Sequence, residues 1–502
     1  MQWSILLVVL PLCFAPLTAL CKKRLHAYLM TQTLTLVLFI LSICLLVSLI
    51  DGSQVHYELG GWQAPWGIAY ELDSLNSLVA LIISGIAFFT TLFGYKTAEQ
   101  EVSAHLSGLF YAAYQLCILG LMGMALTGDI FNLFVFLEIS SLSSYALIAL
   151  GKNRKALMAA FNYLVLGTIG ATFFLIGVGL LYAASGSLNM ADIAIRFYAF
   201  EDKQLVSTAL VFIVIGMSLK AAIFPLHSWL PNAYAYAPSM VSVFLAATAT
   251  KVAIYVLIRC LFDVYPVEYW MAIVLPKVLV GVGCIAIIYG SLRAVNQDNI
   301  KRLLAYSSVA QVGYMILGIG LLNATGMQAT LLHLFNHGVM KAALFMVAGI
   351  FLIRTNTLYL SELRGLGRDM KWTMVAMVIG GLSLIGVPGT AGFVSKWYLL
   401  RAIIETEQWW VLVATLIGSV LSVVYVWKMV ESLYFQPKDK PHVHQVSSGQ
   451  AAIGATPLMM GLACWALTLA TLYFGFDTTW LTRAAEVAAS SLFRDVTLGV
   501  LP

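Results

Sequence analysis

Apolar runs of about twenty residues, the length of helix that crosses a hydrocarbon core, follow one another from end to end of this chain. No segment between them is long and polar enough to form a soluble domain. Of its 502 residues 61% are hydrophobic and 10% charged, and the mean hydropathy is +0.90. A soluble domain carries about 25% charged residues, so this chain lacks the charge to solvate an ordinary surface. In lipid every backbone polar group must be paired internally, and a helix does this within a single segment. The sequence therefore reads as an all-α polytopic membrane protein whose solvent is the lipid bilayer, with no nucleic-acid partner. The seven cysteines show no C-x-x-C spacing, so neither a disulfide framework nor a metal site is indicated. The first run, "WSILLVVLPLCFAPLTAL", lacks a basic leader and is followed by "CKKR", which reads as a retained span.

Windows of about 19 residues give about fourteen spans. They centre near residues 11, 40, 84, 117, 139, 171, 214, 250, 281, 312, 341, 386, 421 and 465. The connections test that count. If the N-terminus is external, the internal loops are "CKKRLH", "YKTAEQE", "GKNRK", "RAVNQDNIKR", "RTNTLYLSELRGLGRDMK" and "QPKDKPHVH", with a near-neutral turn at 225–238. The external loops, among them "TGD", "DVYPVE" and "ETEQ", are acidic or neutral. Lysine and arginine thus fall almost wholly on one side, as the positive-inside rule requires. Both termini are expected on the external side of the membrane.

Two spans are interrupted. "MSLKAAIFPLHSWLP" contains Pro225 and Pro231, and "SLIGVPGTAGFVSKW" contains Pro388, Gly389 and Gly392. Each proline removes a donor and clashes with the preceding turn. Irregular backbone at membrane depth survives only where protein or a wet cavity surrounds it. These are spans seven and twelve, five apart, and a repeat of an odd number of helices is inverted in the membrane. Paired interruptions in corresponding halves point to an ion site, although two ordinary proline kinks would look the same. The expected organisation is 1–106 for spans one to three and 107–265 for a first five-helix repeat broken at 220–231. A second repeat, 266–436, is broken at 386–392, and 437–502 holds span fourteen and a tail.

Ionisable residues gather around these breaks. Glu138 lies near mid-span, with Ser141 and Ser144 or Tyr145 on its face to hydrogen-bond it. Lys220 precedes the first break by about one turn, where a helix C-terminus favours a cation. Lys251 lies near the centre of "SMVSVFLAATATKVAIYVLIRC". His333, His337 and Lys341 share one face of span eleven, and Lys396 follows the second break. A lysine near a span end can snorkel, a reading open for Lys220 and Lys396 but not for the deep Lys251 and Lys341. His227 has a structural alternative, and Glu138 one as a neutralising partner. Asp129, at the outer mouth of its span, is an accessory candidate or a cap for the helix that follows. Central charges cost about 2.5–3.5 kcal/mol each on the insertion scale, so a shared task is expected to retain them. Lysines tuned by burial and by a carboxylate, with histidines between them, suit a proton wire. No residue pattern suggests a nucleophile, a phosphate site or a redox cofactor. Apart from Glu138 and Asp129 no acidic oxygens suit a hard cation.

"GDIFNLFVFLEISSLSSY", "LKAAIFPLHSWLPNAYAYAPSMVS", "QDNIKRLLAYSSVAQVGYM", "HLFNHGVMKAALFM" and "GGLSLIGVPGTAGFVSKWYL" occur in this order over nearly the whole chain. With these motifs the sequence resembles the antiporter-like subunits shared by respiratory complex I and Mrp cation/proton antiporters. "ELGGWQAPWGIAYELDSL" and "GFVSKWYL" look most like the D-type subunit of Mrp antiporters. The resemblance implies fourteen helices with inverted repeats at spans 4–8 and 9–13. It also matches Glu138 to the family's fifth-helix glutamate, Lys220 to the seventh-helix lysine and Lys251 to the eighth-helix lysine. His333 and His337 fall on the eleventh-helix histidine positions, and Lys396 on the terminal ionisable group of helix twelve. A lysine there favours a D-type or L-type subunit over an M-type one, and the lack of a long lateral helix speaks against the L-type. One departure is visible: Asn232 and Tyr234 stand where many relatives have Asp and His.

The resulting expectation is a non-enzymatic, cofactor-free proton-translocating subunit of a multisubunit Mrp-type antiporter. It would exchange Na⁺ or another monovalent cation for H⁺, alongside other Mrp subunits. The alternative is a proton-pumping subunit of a complex I-like oxidoreductase or membrane-bound hydrogenase.

Overall fold

The computed structural model describes residues 2–437 and 456–493. Among these, twelve helices are long and apolar enough to span a membrane, and two shorter apolar helices complete the set. Span 1 is Leu6–Ala19, span 2 Arg24–Leu49, span 3 Ser74–Glu101, span 4 Ser107–Leu126, span 5 Ile130–Ala149 and span 6 Arg154–Ser185. Span 7 is split into Lys203–Lys220 and Leu230–Tyr236, and span 8 into Ser239–Ala247 and Ala249–Arg259. Spans 9, 10 and 11 are Leu275–Val295, Ile300–Gly320 and Ala324–Thr355. Span 12 is split into Lys371–Ile385 and Ala391–Glu405, and spans 13 and 14 are Trp409–Val430 and Leu458–Phe476.

Besides the short connecting helices Met190–Arg196 and Val267–Met271, two larger elements among the described residues depart from a bare bundle. The long connection before span 3 folds into an antiparallel hairpin, Val55–Glu58 with Ala69–Leu72, paired Val55 to Leu72 through Glu58 to Ala69. The segment read as a tail after span 14 contains a helix, Thr479–Leu492, which buries Leu481, Ala484, Ala485, Ala488 and Ala489. Buried residues three and four apart make a single stripe, and this stripe lies against spans 3 and 11.

The connections sort into two separate faces. On one, Arg24 donates to the Val102 carbonyl at 3.1 Å, Val102 bridges Gly151, and the Gly365 amide donates to the Ser432 carbonyl. On the other, Tyr70 bridges Thr127 and Arg483 meets Asp51 at 3.2 Å. The first face holds the lysine- and arginine-rich loops and the second the acidic ones. The basic loop at 438–444 lies outside the described residues.

Inversion is visible in two matching latches. The turn into span 5 pairs with the exit of span 6: Asp129 bridges Asn189, and the Ile130 amide donates to the Leu188 carbonyl at 2.9 Å. The turn into span 10 pairs in the same way with the exit of span 11: Asn299 bridges Tyr359, and the Ile300 amide donates to the Leu358 carbonyl at 3.0 Å. The first latch is on the acidic face and the second on the basic face. Spans 6 and 11 are both 32 residues long, and spans 8 and 13 both end in a five-residue π-turn.

Between lipid-bathed helices there is little hydrophobic drive to associate, so close backbone approach must supply the contact. Gly283 of span 9 and Gly313 of span 10 lie so close that a Cβ on either would come within 2.9 Å of the other's carbonyl oxygen. At the break in span 12 a Cβ on Gly392 would sit 1.8 Å from the Ser383 carbonyl oxygen, while the Gly392 amide donates to Ser383 Oγ at 3.0 Å. Only glycine lets the two halves overlap there. Gly392→Val should therefore abolish monodisperse protein on size-exclusion chromatography in detergent. Gly281→Val, at a position with open space beyond it, should leave the elution profile intact.

Candidate functional site

Spans 8 and 10 are almost wholly shielded from lipid, and span 11 largely so. The side chains they share with spans 5, 7 and 12 form the polar interior. The backbone interruptions position them. Span 7 stops at Lys220 ahead of Pro225, and the Leu219 carbonyl at its end accepts from the Ala222 amide at 3.3 Å and from Trp229 Nε1 at 2.9 Å. Lys220 Nζ lies 3.5 Å from Glu138 Oε1 and donates to Ser141 Oγ at 2.6 Å. Glu138 and Lys220 are thus an ion pair from separate spans. The serines do not hydrogen-bond Glu138 as the sequence suggested. Ser141 and Ser144 each donate to a carbonyl four residues back, Leu137 and Ser140, at 2.7 Å, the usual local competition of helix hydroxyls. Ser141 keeps a lone pair for the lysine.

A cavity of about 30 Å³, large enough for a water molecule, runs from Lys220 and Ser141 to Ala249 and Ala253. Those alanines share one face of the helix and Lys251, between them in sequence, is on the other. Span 8 is broken at Thr248 (φ −122°, ψ −54°) without proline or glycine, and Lys251 Nζ donates to the freed Ala246 carbonyl at 2.5 Å. Lys251 lies within electrostatic reach of His333, His337 and Lys341, and Lys396 within reach of both histidines.

The histidine rings stack with centroids 5.7 Å apart and planes 6° from parallel. His333 Nδ1 shares a 2.8 Å hydrogen bond with Ser395 Oγ, which ties span 11 to span 12. His333 Nε2 and both nitrogens of the fully buried His337 have no protein partner. Buried polar atoms of this kind are the ones ordered water serves. Lys341 Nζ donates to the Leu304 carbonyl at 2.7 Å and to Ser307 Oγ at 2.5 Å, so it turns from the histidines into span 10. Lys396 reaches back across the break to the Leu384 and Ile385 carbonyls at 3.1 and 2.9 Å, with its ammonium 4.7 Å from the centre of the Tyr314 ring.

The accessory candidates sit apart. His227 is buried between Phe224 and Tyr289 with its Nδ1 unpartnered. Asp129 caps span 5, accepting from the Asn132 amide at 2.7 Å, and burial pushes its carboxyl up. Tyr234, at the departure noted in the sequence, is buried and donates to the Leu245 carbonyl at 3.0 Å.

Two further charged groups carry no local signal in the sequence. Lys301, which lies in a connection that reads as exposed, is 1% exposed and donates to the Ala237 carbonyl and Ser239 Oγ at 3.1 and 3.2 Å. Glu101 accepts from the same Ser239, at 2.8 Å from its amide and 3.0 Å from its hydroxyl. Both line a cavity of about 610 Å³ on the basic face, where span 8 begins. The second group surrounds Arg259, near the other end of span 8, which pairs with Asp73 at 2.6 Å and Asp263 at 2.8 Å.

Residues 127–422 match the family model described as "NADH:quinone oxidoreductase/Mrp antiporter, TM". The chain belongs to that family. It is 39% identical over 440 residues to the N-type subunit of an NADH-quinone oxidoreductase of Desulforudis audaxviator, covering 87% of each chain. It is 29% identical over 423 residues to the D-type subunit of an Na(+)/H(+) antiporter of Alkalihalophilus pseudofirmus, covering 84% of this chain and 85% of the other. Its fold matches a chain in the structure of the Mrp complex from Dietzia sp. with a TM-score of 0.87 at 24% identity, over 99% of both chains. The protein is an antiporter-like membrane subunit of the Mrp or complex I-like type.

Lys251 Nζ is the partner of the Ala246 carbonyl at the break in span 8, and a carbonyl left unpaired inside the bundle is costly. Lys251→Met should therefore lower the melting temperature of the purified protein by several degrees, as followed by a thermal-shift assay. An unchanged melting temperature would mean that the break does not depend on the lysine.

Proposed function

We propose that this chain is the proton-translocating D-type subunit of a multisubunit Mrp-type antiporter, working beside other Mrp subunits. In this reading it exchanges Na⁺ or another monovalent cation for H⁺ across the inner membrane of a prokaryote, with its basic loops in the cytoplasm and both termini outside. The observation that carries the proposal is the convergence of one carboxylate, four ammonium groups and two histidines from five spans, with unpartnered imidazole nitrogens among them. Glu138 and Lys220 act as a coupled pair, since moving the carboxylate changes how readily the lysine holds its proton. Lys251 is the central relay. His333 and His337 carry the proton onward to Lys396, and Lys341 biases the histidines by its charge. Proton movement down the membrane potential, worth about 2.3 kcal/mol per charge per 100 mV, supplies the drive for cation export.

A second reading has support of its own. The 39% identity to a relative named as an oxidoreductase subunit favours a proton-pumping arm of a redox-driven complex. The two readings differ in what must be added to see protons move. The native complex in liposomes should change internal pH on addition of NaCl with no electron donor present. Movement only with a donor and an acceptor overturns the antiporter assignment.

Glu138→Ala or Lys220→Ala should abolish cation-dependent proton exchange in everted vesicles, while the partner subunits still co-purify. Normal exchange by assembled variants removes both residues from the path.

A further inference from the structure

Span 8 carries Lys251, Tyr255, Arg259 and Asp263 at intervals of four, which puts all four on one helical face. At 1.5 Å per residue the stripe climbs about 12 Å from Lys251 to Arg259. It is hydrogen-bonded above its first step: Arg259 Nε donates to the Tyr255 hydroxyl at 3.0 Å, and that hydroxyl donates to the Ala125 carbonyl at 2.6 Å. The guanidinium is buried and held from both sides, by Asp73 Oδ2 at 2.6 Å and Asp263 Oδ2 at 2.8 Å. Asp73 itself is fixed, because its other oxygen caps span 3 by accepting from the Asn76 amide at 2.9 Å.

Directly at this cluster is a polar cavity of about 200 Å³ on the acidic face. The hairpin contributes Glu71 and Leu72 to its wall, span 4 ends in it at Thr127, and the C-terminal helix contributes Ser491. Its inner end is Tyr255, one helical turn from Lys251. A tie that served only stability would gain little from a buried ion pair. Nor would it need to stand in register with the midplane lysine, or between that lysine and a cavity.

We infer that this stripe is the limb joining Lys251 to the face opposite the basic loops, and that Arg259, clasped by Asp73 and Asp263, is the gate that closes it. The inference rests on the proton-path reading of the preceding subsection. Tyr255 is the step between gate and relay. When Arg259 is released from Asp73, the cavity extends down the helix face to Lys251. When it is clasped, Lys251 is reached only from the interior. Span 8 then ends at a polar cavity on each face of the membrane, with its break and its lysine between them.

The test is accessibility, read in the assembled complex with its seven native cysteines replaced by serine or alanine. Lys251→Cys is introduced and exposed to a small, membrane-impermeant methanethiosulfonate in right-side-out vesicles. With the gate intact the cysteine should stay unlabelled. With Asp73→Asn and Arg259→Gln, which remove both charges together, it should be labelled, and with Arg259→Lys it should remain unlabelled. Absence of labelling in the assembled double variant overturns the gate, as does labelling with the gate intact. If the double variant does not assemble, Asp73→Asn, which alone removes the 2.6 Å pairing with Arg259, is read in the same way. Labelling only in everted vesicles overturns the assignment of the limb to the outer face. Cation-dependent exchange by the unsubstituted complex is measured separately. Its absence beside the expected labelling pattern removes the antiporter reading and leaves the gated path standing.

Discussion

A lysine ammonium inside a membrane protein needs acceptors that water would otherwise provide, and this fold supplies them from main-chain carbonyls at helix ends. Lys251 takes the Ala246 carbonyl at the Thr248 break, and Lys396 takes those of Leu384 and Ile385 at the break in span 12. Lys301 takes the carbonyl of Ala237 where span 7 ends, and Lys428 that of Val295 where span 9 ends. Each contact solves two problems. An unpaired carbonyl in hydrocarbon costs several kcal/mol, and so does a bare ammonium; joined, each offsets the other. The dipole of the ending helix adds to the attraction. Broken helices and buried lysines therefore need one another. Lys220 and Lys341 are exceptions: the first has a carboxylate and a serine hydroxyl in place of a carbonyl, and the second takes a carbonyl and a hydroxyl from within the unbroken span 10.

This dependence explains what could be read from sequence. Pro225 and Pro388 announce their breaks by chemistry, so the interruptions of spans 7 and 12, and the lysines beside them, were legible. The break at Thr248 was not, because neither proline nor glycine marks it; its only trace in the sequence is Lys251 three residues on. Lys301 and Glu101 were counted as loop charges, since a loop reading assumes exposure. The ends of spans 3, 8 and 10 meet and bury them, and no local pattern reports such a meeting. Arg259 was hidden for a related reason. Its partner Asp73 is 186 residues away and looks, in sequence, like an ordinary helix cap. The serines of span 5 were misjudged because a helix offers each hydroxyl a carbonyl one turn back before any distant partner.

The inverted latches give the architecture its second constraint. Asp129 with Asn189 and Asn299 with Tyr359 do the same work on opposite faces. The two halves share a backbone plan but not its chemistry. One half has a carboxylate–lysine pair on spans 5 and 7, and the other has histidines on span 11 and a lysine on span 12. A polar interior can thus run through the middle of the bundle while each half keeps its own way of holding charge.

A quarter of the Glu138 side chain remains exposed although its partner Lys220 is buried. That carboxylate stands at the rim of the bundle, at a depth where hydrocarbon would otherwise surround it. An acid left to lipid is costly, and the uncovered edge of Glu138 is the part of this pair that the described residues leave without a protein wall.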